Sequence, residues 1–338
     1  MIPAGRIRRL RIRILLLSLT FLSLSCGIGG SDFAGGGTGG TGISTGSVSG
    51  FGSVVVNGVH YRTDGEVAPQ FVTKKIYNGN DNSSKKDREL FQVGMVVTVR
   101  HAPEDNNALE IEYRDNLQGV IAAKVSGTEN LIEVLGQSIV VDNAALFALI
   151  QRNDIVEVSG FVDDTGRIRA VSILPISPSV REFEVKGFVS GLSLPDATFR
   201  LGPLPDGSGA SVTVSFGPAS VSGLAGGLAN GMYVEVATTD REPVGGIITA
   251  TRIVKLAART EFPDGTPVDL EGLVTTAWRG SVSDLSFAVE GKRVRWNDTT
   301  EFAGGGGTQE DTRQTNRRVQ VQGTETGGVL SAARIVFR

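Results

Sequence analysis

The chain has 338 residues, of which 40% are hydrophobic, 6% are aromatic and 45 are glycine. This composition is sufficient for several small cores, and it excludes a protein built mainly from membrane-spanning segments. The formal net charge is −3, from 33 basic and 36 acidic residues, and without the five arginines of the first 25 residues it is −8 (33 − 5 − 36). Nucleic-acid-binding proteins usually present a basic groove with stacking aromatic residues, so the composition predicts no nucleic-acid partner.

Residues 1–25 have the form of a secretory signal peptide. A basic stretch, Arg6 to Arg13, precedes an apolar stretch, Ile14 to Leu24, that is too short to span a membrane. Cys26 follows directly and is the only cysteine, so no internal disulfide can form. The segment LSLSC at 22–26 resembles the lipobox of bacterial lipoproteins, which implies lipidation of Cys26; Gly27 implies sorting to the outer membrane. The alternative is an ordinary cleaved signal with an incidental cysteine.

Residues 26–46 are dominated by Gly with Ser and Thr. Such a segment has too little apolar surface to form a core and is typical of a flexible linker. We therefore expect a tether that holds the folded part of the protein away from a membrane surface.

A short pattern, Gly-x3-Ala-x2-Ile, recurs along the rest of the chain at a spacing of roughly seventy residues, which is typical of an array of one small domain. Full copies begin at Gly166, Gly246 and Gly328, and an earlier copy keeps only Ala108 and Ile111. Upstream of each copy lies an alternating run such as Val156-Glu157-Val158, the period of a half-buried strand. Each copy therefore ends in a predicted β-hairpin.

The first half of each copy begins with a glycine and contains three further apolar runs. Gly46, Gly119, Gly187 and Gly272 are these glycines. Five strands per unit predict an all-β fold, a tandem array of about four small five-stranded OB-like β-barrel units, with sandwich-like units as the alternative. The predicted repeats are 47–116, 117–176, 183–258 and 268–338.

These features resemble the proteins of domain-of-unknown-function family 5666. The resemblance is carried by the glycine-rich segment 39–46, the run GFGSVVVNGV at 50–59 and the recurring hairpin pattern. It implies a bacterial secreted or lipid-anchored protein with tandem small β-barrel domains. It supplies no catalytic residues, because none is established for the family.

The polar loop Asn78–Glu89 in the first copy is the strongest candidate for metal chemistry. Asn78, Asn80, Asn82 and Glu89 occupy positions one, three, five and twelve of a calcium-loop spacing. However, Ser83 replaces the expected Gly, no Asp begins the loop, and two lysines lie within it. We therefore predict a solvated connection and no metal or other cofactor.

Catalytic signatures are equally sparse. His60 and His101 are the only histidines, and a metal site normally needs three or four ligands. No nucleophile elbow and no paired-carboxylate signature accompanies them. The sequence therefore predicts a non-catalytic protein, with an envelope enzyme using a cleft near these histidines as one alternative.

Trp278 and Trp296 are the only tryptophans, and both fall in the fourth copy. Trp278 lies in a polar, turn-like setting, and an exposed Trp stacks well on sugar rings, so Trp278 with Arg279 is the candidate ligand-binding pair. The alternative is that Trp278 caps one end of the barrel. Trp296, in an alternating run, is expected to fill the core.

The sequence thus predicts an outer-membrane lipoprotein, anchored through Cys26 on the periplasmic side or the cell surface. We expect it to act as a scaffold or binding module with an envelope protein or glycan partner. The main alternative is an oligosaccharide or peptidoglycan binder that uses repeat 4.

Overall fold

The computed structural model describes residues 42–64, 71–102, 105–217, 219–222, 226–281 and 283–338. Cys26, the signal peptide and most of the predicted tether lie outside these residues. The described part is an all-β protein, as predicted, and four repeats follow one another along it. None of its helices is long and apolar enough to cross a membrane.

Each repeat contains five principal strands, numbered first to fifth in chain order. The principal strands of repeat 1 are β1 (Gly42–Phe51), β2 (Val54–Val56), β3 (Val59–Tyr61), β6 (Val96–His101) and β7 (Ala108–Tyr113). It also contains β4 (Lys74–Tyr77), β5 (Asn80–Asp81) and the helix α1 (Asp87–Leu90). Those of repeat 2 are β8 (Leu117–Val125), β9 (Leu131–Val134), β10 (Gln137–Val140), β11 (Ile155–Val162) and β12 (Ile168–Pro175), with the helix α2 (Ala144–Leu149) before the fourth strand.

Repeats 3 and 4 keep the same order. The principal strands of repeat 3 are β13 (Phe183–Ser193), β14 (Thr198–Gly202), β15 (Val212–Ser215), β17 (Tyr233–Thr238) and β18 (Ile247–Lys255), with the short β16 (Ser220–Ser222). Those of repeat 4 are β19 (Pro267–Thr276), β20 (Ser286–Val289), β21 (Lys292–Arg295), β23 (Arg318–Thr326) and β24 (Val329–Phe337). Repeat 4 also contains β22 (Glu301–Ala303) and a 3-10 helix (Gln309–Arg313).

Backbone pairing joins the five strands of each repeat into a ring. In repeat 2 the order is β8, β9, β10, β12, β11 and back to β8, with only the pairing of β10 with β12 parallel. Repeats 3 and 4 have the same order. In repeat 1 the parallel pairing between the third and fifth strands is reduced to a single bridge, between Arg62 just after β3 and Asn107 just before β7. The predicted antiparallel hairpin at the end of every copy is confirmed.

The recurring Ala-x-x-Ile pattern marks a β-bulge. Two residues three apart in a regular strand would face opposite sides, yet Ala170 and Ile173 are both buried, 8% and 4% exposed. Ser159 pairs with Ser172 and the next residue, Gly160, pairs with Ala170, so Val171 has no cross-strand partner. Equivalent register shifts occur in the other three repeats. The extra residue brings both apolar side chains into the core.

The first-strand glycines make room for the turn that follows the second strand. A methyl group at Gly46 would overlap the side chain of Asn57, and one at Gly272 would overlap Val289 and Glu290. Gly119 and Gly187 meet the same part of their own repeats. The recurring glycine is therefore needed for close packing within the repeat.

The boundary of the predicted tether is wrong at its C-terminal end. Residues 42–46 begin β1, are buried, and pair with β6 and with β19. Their Gly, Ser and Thr composition suggested a flexible coil. Here the small side chains allow close approach, since a Cβ at Gly42 would overlap the ring of His101.

The repeats are joined by pairing between first strands. β1 of repeat 1 pairs in parallel with β19 of repeat 4, and β8 of repeat 2 pairs antiparallel with β13 of repeat 3. A small apolar cluster, Val96, Phe161 and Leu273, joins repeats 1, 2 and 4. The first and last repeats of the chain are therefore neighbours.

The fourth strand of repeat 2 is more deeply buried than predicted. Its alternation predicts one solvent-exposed face, but all eight residues of β11 are buried, including Glu157 at 3% exposure. The polar face is covered because it packs against other repeats.

Candidate functional site

The predicted ligand-binding tryptophan does not lie on the surface. Trp278 is 6% exposed and packs in the core of repeat 4, with its ring centroid 5.2 Å from that of Trp296. Its Nε1 donates to the carbonyl oxygen of Ser281 at 3.1 Å, and the guanidinium of Arg313 lies 4.6 Å from its ring. Arg279 is exposed. The pair therefore offers no open aromatic face, and Trp296 fills the core as predicted.

The two histidines occupy different settings in repeat 1. His60 is exposed, with its Nδ1 3.3 Å from the hydroxyl of Ser53. His101 packs against Tyr61, and burial lowers the pKa of its imidazole. Within the described residues, no group of three or more His, Cys, Asp and Glu is arranged to hold a metal ion.

The polar loop of repeat 1 contributes one side chain to a contact with repeat 2. The Asn78 Nδ2 donates to Asp115 at 2.8 Å and to Glu157 at 3.0 Å, while its Oδ1 accepts from the Asp115 backbone at 3.0 Å. Glu89 instead accepts from the Lys86 backbone at 3.4 Å. The first and twelfth positions of the calcium spacing therefore serve separate contacts.

The most distinctive polar feature is a cross-strand pair that recurs in all four repeats. The residue before the first-strand glycine lies opposite the central residue of the Val-x-Val run in the fourth strand. These pairs are Thr45 with Thr98, Gln118 with Glu157, Lys186 with Glu235, and Glu271 with Gln320. Much of this polar surface is buried between repeats. We call these eight residues, together with the neighbouring acids Asp115, Glu184, Asp269 and Glu290, the docking face.

Between repeats 2 and 3, the docking face is built around Lys186, whose side chain is 1% exposed. Its Nζ lies 2.5 Å from Asp115, 2.8 Å from Glu184 and 3.7 Å from Glu235. Burial alone would lower the pKa of Lys186, but Asp115 and the two glutamates raise it above its ordinary value. Burial and the Asp115 charge raise the pKa of Glu184 to about 7. One cation thus compensates several buried carboxylates.

Between repeats 1 and 2, Glu157 accepts hydrogen bonds from four side chains. The donors are Tyr77 at 2.7 Å, Tyr113 at 2.8 Å, Asn78 at 3.0 Å and Gln118 at 3.0 Å. Burial, then the Asp115 charge, raises the pKa of Glu157. Burial also raises the pKa of both tyrosines, which act as donors.

Between repeats 1 and 4, two acids are held mainly by different donors. Asp269 accepts only from amides, at 3.0 Å from Asn57, 2.8 Å from Gln320 and 3.0 Å from Gln322. Burial raises its pKa to about 6 despite these bonds. Glu271 instead accepts from Arg318 at 3.0 Å and from the Ser47 backbone at 2.9 Å.

Repeats 2 and 4 meet at Glu290. Its carboxylate accepts from the backbone N–H of Val162, at 3.0 Å, and of Leu273, at 3.0 Å. Burial raises the pKa of Glu290 to about 7. A cavity of ≈ 40 Å³ beside it is lined by residues of all four repeats and by Arg259 of the connection between repeats 3 and 4. That volume has room for ordered water but not for a substrate.

These observations define what the docking face can do. Its acids are buried or partly buried, and they are paired with donors from their own repeat and from neighbouring repeats. Such a network fixes how the repeats pack.

Sequence reasoning missed the docking face because it assigned the polar residue of Val-x-Val to solvent. One signal was available: the residues at this position in the second, third and fourth copies are Glu157, Glu235 and Gln320. Glu is depleted in strands, so long polar side chains recurring here opposite a first-strand Gln, Lys or Glu indicated paired polar positions.

No curated protein matches this chain. Among solved structures, a deletion mutant of the single-stranded DNA binding protein from Thermus aquaticus is 13% identical, with 44% of this chain and 94% of that chain covered and a TM-score of 0.22. Drosophila Unr CSD456 is 13% identical, with 64% of this chain and 94% of that chain covered and a TM-score of 0.19. Likenesses this distant inform neither the fold nor the function.

The family comparison is more specific, because it falls on individual repeats. The matched regions begin within the first strand and end within the fifth, once in repeat 2 and once in repeat 4. Residues 118–173 and 271–336 match the family model described as "Domain of unknown function (DUF5666)", which confirms the resemblance for these two regions.

Proposed function

We propose that the protein is a non-catalytic cell-envelope lipoprotein in which four OB-like repeats act together as one scaffold or binding module. The OB-like assignment is supported by the strand order 1-2-3-5-4 closing on strand 1, since a small five-stranded barrel of this kind is the OB architecture. The single observation that carries the functional proposal is the docking face. Polar side chains that independent repeats would expose to solvent are buried between repeats.

A joined module has a clear physical advantage over four loosely linked domains. Surface contributed by several repeats is presented in a fixed arrangement, so a partner does not have to order it on binding. The buried acids Glu157, Asp269 and Glu290 all lie at contacts between repeats. We infer that the module acts through its outer surfaces and loops, with the docking face as its internal support.

The anchor is proposed from the sequence. Lipidation at Cys26 would attach the protein to the outer membrane, and the Gly-rich segment predicted as a tether would link the anchor to the repeats. Several acyl chains on one residue give stable membrane attachment. The proposed partners are therefore the membrane, through the lipid, and an envelope protein.

Glycan binding is the second candidate from the sequence. It depends on an open stacking face at Trp278, whereas that ring is 6% exposed and covered by Arg313. The protein-scaffold proposal therefore has the stronger structural support.

Labelling with a clickable palmitate analogue in growing cells tests the anchor. We expect label on the wild-type protein, no label on Cys26→Ser, and release of Cys26→Ser from the outer-membrane fraction. Equal labelling or unchanged membrane association of Cys26→Ser would overturn the lipoprotein proposal.

Affinity purification from detergent-solubilised envelopes tests the module. We expect a defined protein partner with the wild type and its loss with Lys186→Met, which separates repeats 2 and 3. Lys255→Met, at an exposed lysine of repeat 3, is the matched control. Retention on sedimented peptidoglycan, lost in Trp278→Ala but not in Lys186→Met, would favour the glycan candidate instead.

A further inference from the structure

An open groove of ≈ 430 Å³ runs between repeats 2 and 3, outside the docking face. One wall comes from β8 and β9 of repeat 2, and the other from the start of β15 and the loop between β17 and β18 of repeat 3. This volume lies in the range of ligand sites in proteins. Two repeats are needed to form it, so it exists only in the joined module.

The groove is lined by small residues and backbone. Ala122 and Ala123 line it on β8, and Gly136 and Gly246 line it at two turns. Val212 contributes a buried apolar side chain beside Pro243. With no large side chain between the walls, the main chain of an extended peptide can approach closely.

Two glutamates give the groove its charge. Glu133 on β9 and Glu242 on the repeat 3 loop both line it, and both are exposed. In the described part of the chain neither carboxylate has an ion pair or a hydrogen-bond partner. Lys124, which follows Ala123, is directed elsewhere and donates to the carbonyl oxygen of Ile150 at 2.7 Å.

The loop that forms the second wall differs from its counterparts. The connection between β23 and β24 in repeat 4 consists of Gly327 and Gly328, whereas residues 239–246 connect β17 and β18 in repeat 3. Val244 in this loop is 76% exposed, and Ile247 at its end is 39% exposed. The longer loop therefore adds exposed apolar side chains directly next in the chain to Pro243 and Gly246, which line the groove.

We infer that this groove binds an extended peptide segment of a protein partner in which basic and apolar residues alternate. The basic side chains pair with Glu133 and Glu242, and the apolar ones cover Val244 and Ile247. This inference rests on the proposed function, because it names the partner class of the binding module. It commits to a protein segment, since a small cation alone would leave the apolar residues uncovered.

Fluorescence anisotropy with a labelled six-residue amide of alternating arginine and valine tests the inference. The full chain is used in phosphatidylcholine nanodiscs, with empty nanodiscs as the blank. We expect saturable binding that weakens as salt rises, because exposed charge pairs are screened. Glu133→Gln/Glu242→Gln should weaken binding at least tenfold, and Val244→Ser should weaken it several-fold.

The matched control is Asp298→Asn, which removes one exposed carboxylate from repeat 4; it should bind like the wild type. Equal affinity of the double glutamate variant and the wild type would overturn the inference. Equal binding of a glutamate–valine peptide, or occupation of the groove by a second copy in sedimentation, would also overturn it. Failed lipidation is seen as absence of the protein from the nanodiscs, and partner capture is measured separately, so failure of either is distinguishable from failure to bind the peptide.

Discussion

The contact between repeats 2 and 3 and the contact between repeats 1 and 4 stabilise their buried acids in different ways. Both pair first strands and both bury acids. The first places the nearly unexposed Lys186 among Asp115, Glu184 and Glu235, whereas the second gives Asp269 only amide donors. The repeat 2–3 contact therefore depends on one buried cation, while the repeat 1–4 contact depends on hydrogen bonds to an acid that burial disfavours as an ion.

Lys186→Met should have the largest effect. It leaves the fully buried Asp115 without its cation, while Glu235 keeps Arg252 at 3.1 Å. Loss of one member of a buried ion pair costs about 3–5 kcal/mol. Urea unfolding followed by circular dichroism measures this change in the free energy of unfolding. Lys255→Met, at an exposed position in the same repeat, should stay within about 0.5 kcal/mol of the wild type.

Asp269→Asn should flatten the pH dependence of stability. Burial raises the pKa of Asp269 from 3.8 to about 6, so the folded state holds this proton more tightly than the unfolded state. The contribution to stability is therefore fully present below pH 4 and is lost as the pH rises through 6, a change of up to about 3 kcal/mol.

The measurement is the free energy of unfolding between pH 4 and pH 8. Over this range the wild type should lose stability relative to Asp269→Asn, by the amount that Asp269 contributes. The exposed Asp298→Asn should follow the wild-type slope. If the free energies of unfolding of the wild type and Asp269→Asn changed in parallel with pH, the pKa of Asp269 would not be raised in the folded state.

Gly46→Ala tests the close packing at the repeat 1–4 contact. Its methyl group would overlap Asn57 and approach Glu271, so we expect a loss of about 1–3 kcal/mol from overpacking. Gly52→Ala, where a Cβ meets nothing within 4 Å, is the matched control. Equal stability of the two variants in urea would contradict the close approach.

Arg318→Met should have the smallest effect of the four. Arg318 pairs with Glu271 at 3.0 Å, but its side chain is 36% exposed. Glu271 keeps the Ser47 backbone and hydroxyl as donors. Arg338 also lies 3.8 Å from Glu271, so the carboxylate keeps a nearby cation. A partly solvated pair of this kind contributes about 1 kcal/mol. A loss as large as that of Lys186→Met would remove the distinction between the two contacts.

The sequence was sufficient to predict the repeat because short-range constraints recur in it. Glycines at 166 and 246 have positive φ, and the hairpins form where the pattern places them. The bulge within Ala-x-x-Ile was not predicted. We expected a regular strand, in which side chains alternate between the two faces along its whole length. Two buried residues at a spacing of three are the local signal for such a bulge.

The contacts between repeats could not be predicted, because they depend on which residues far apart in the chain meet. Thr45 and Leu270 are partners across the β1–β19 pairing, and no local pattern identifies that pairing. The same limit explains Trp278. Its polar neighbours suggested exposure, but Arg313, thirty-five residues later, covers its ring.

The central claim, that the docking face joins the repeats into one module, is tested most directly with the two native tryptophans. Both lie in the core of repeat 4, so their fluorescence reports unfolding there, while circular dichroism reports all strands. Urea unfolding of the wild type and Lys186→Met should be followed by both signals. We predict coincident transitions, with the tryptophan midpoint shifted by a substitution in repeat 3. A tryptophan transition unchanged by Lys186→Met would show that the repeats fold independently and contradict the account.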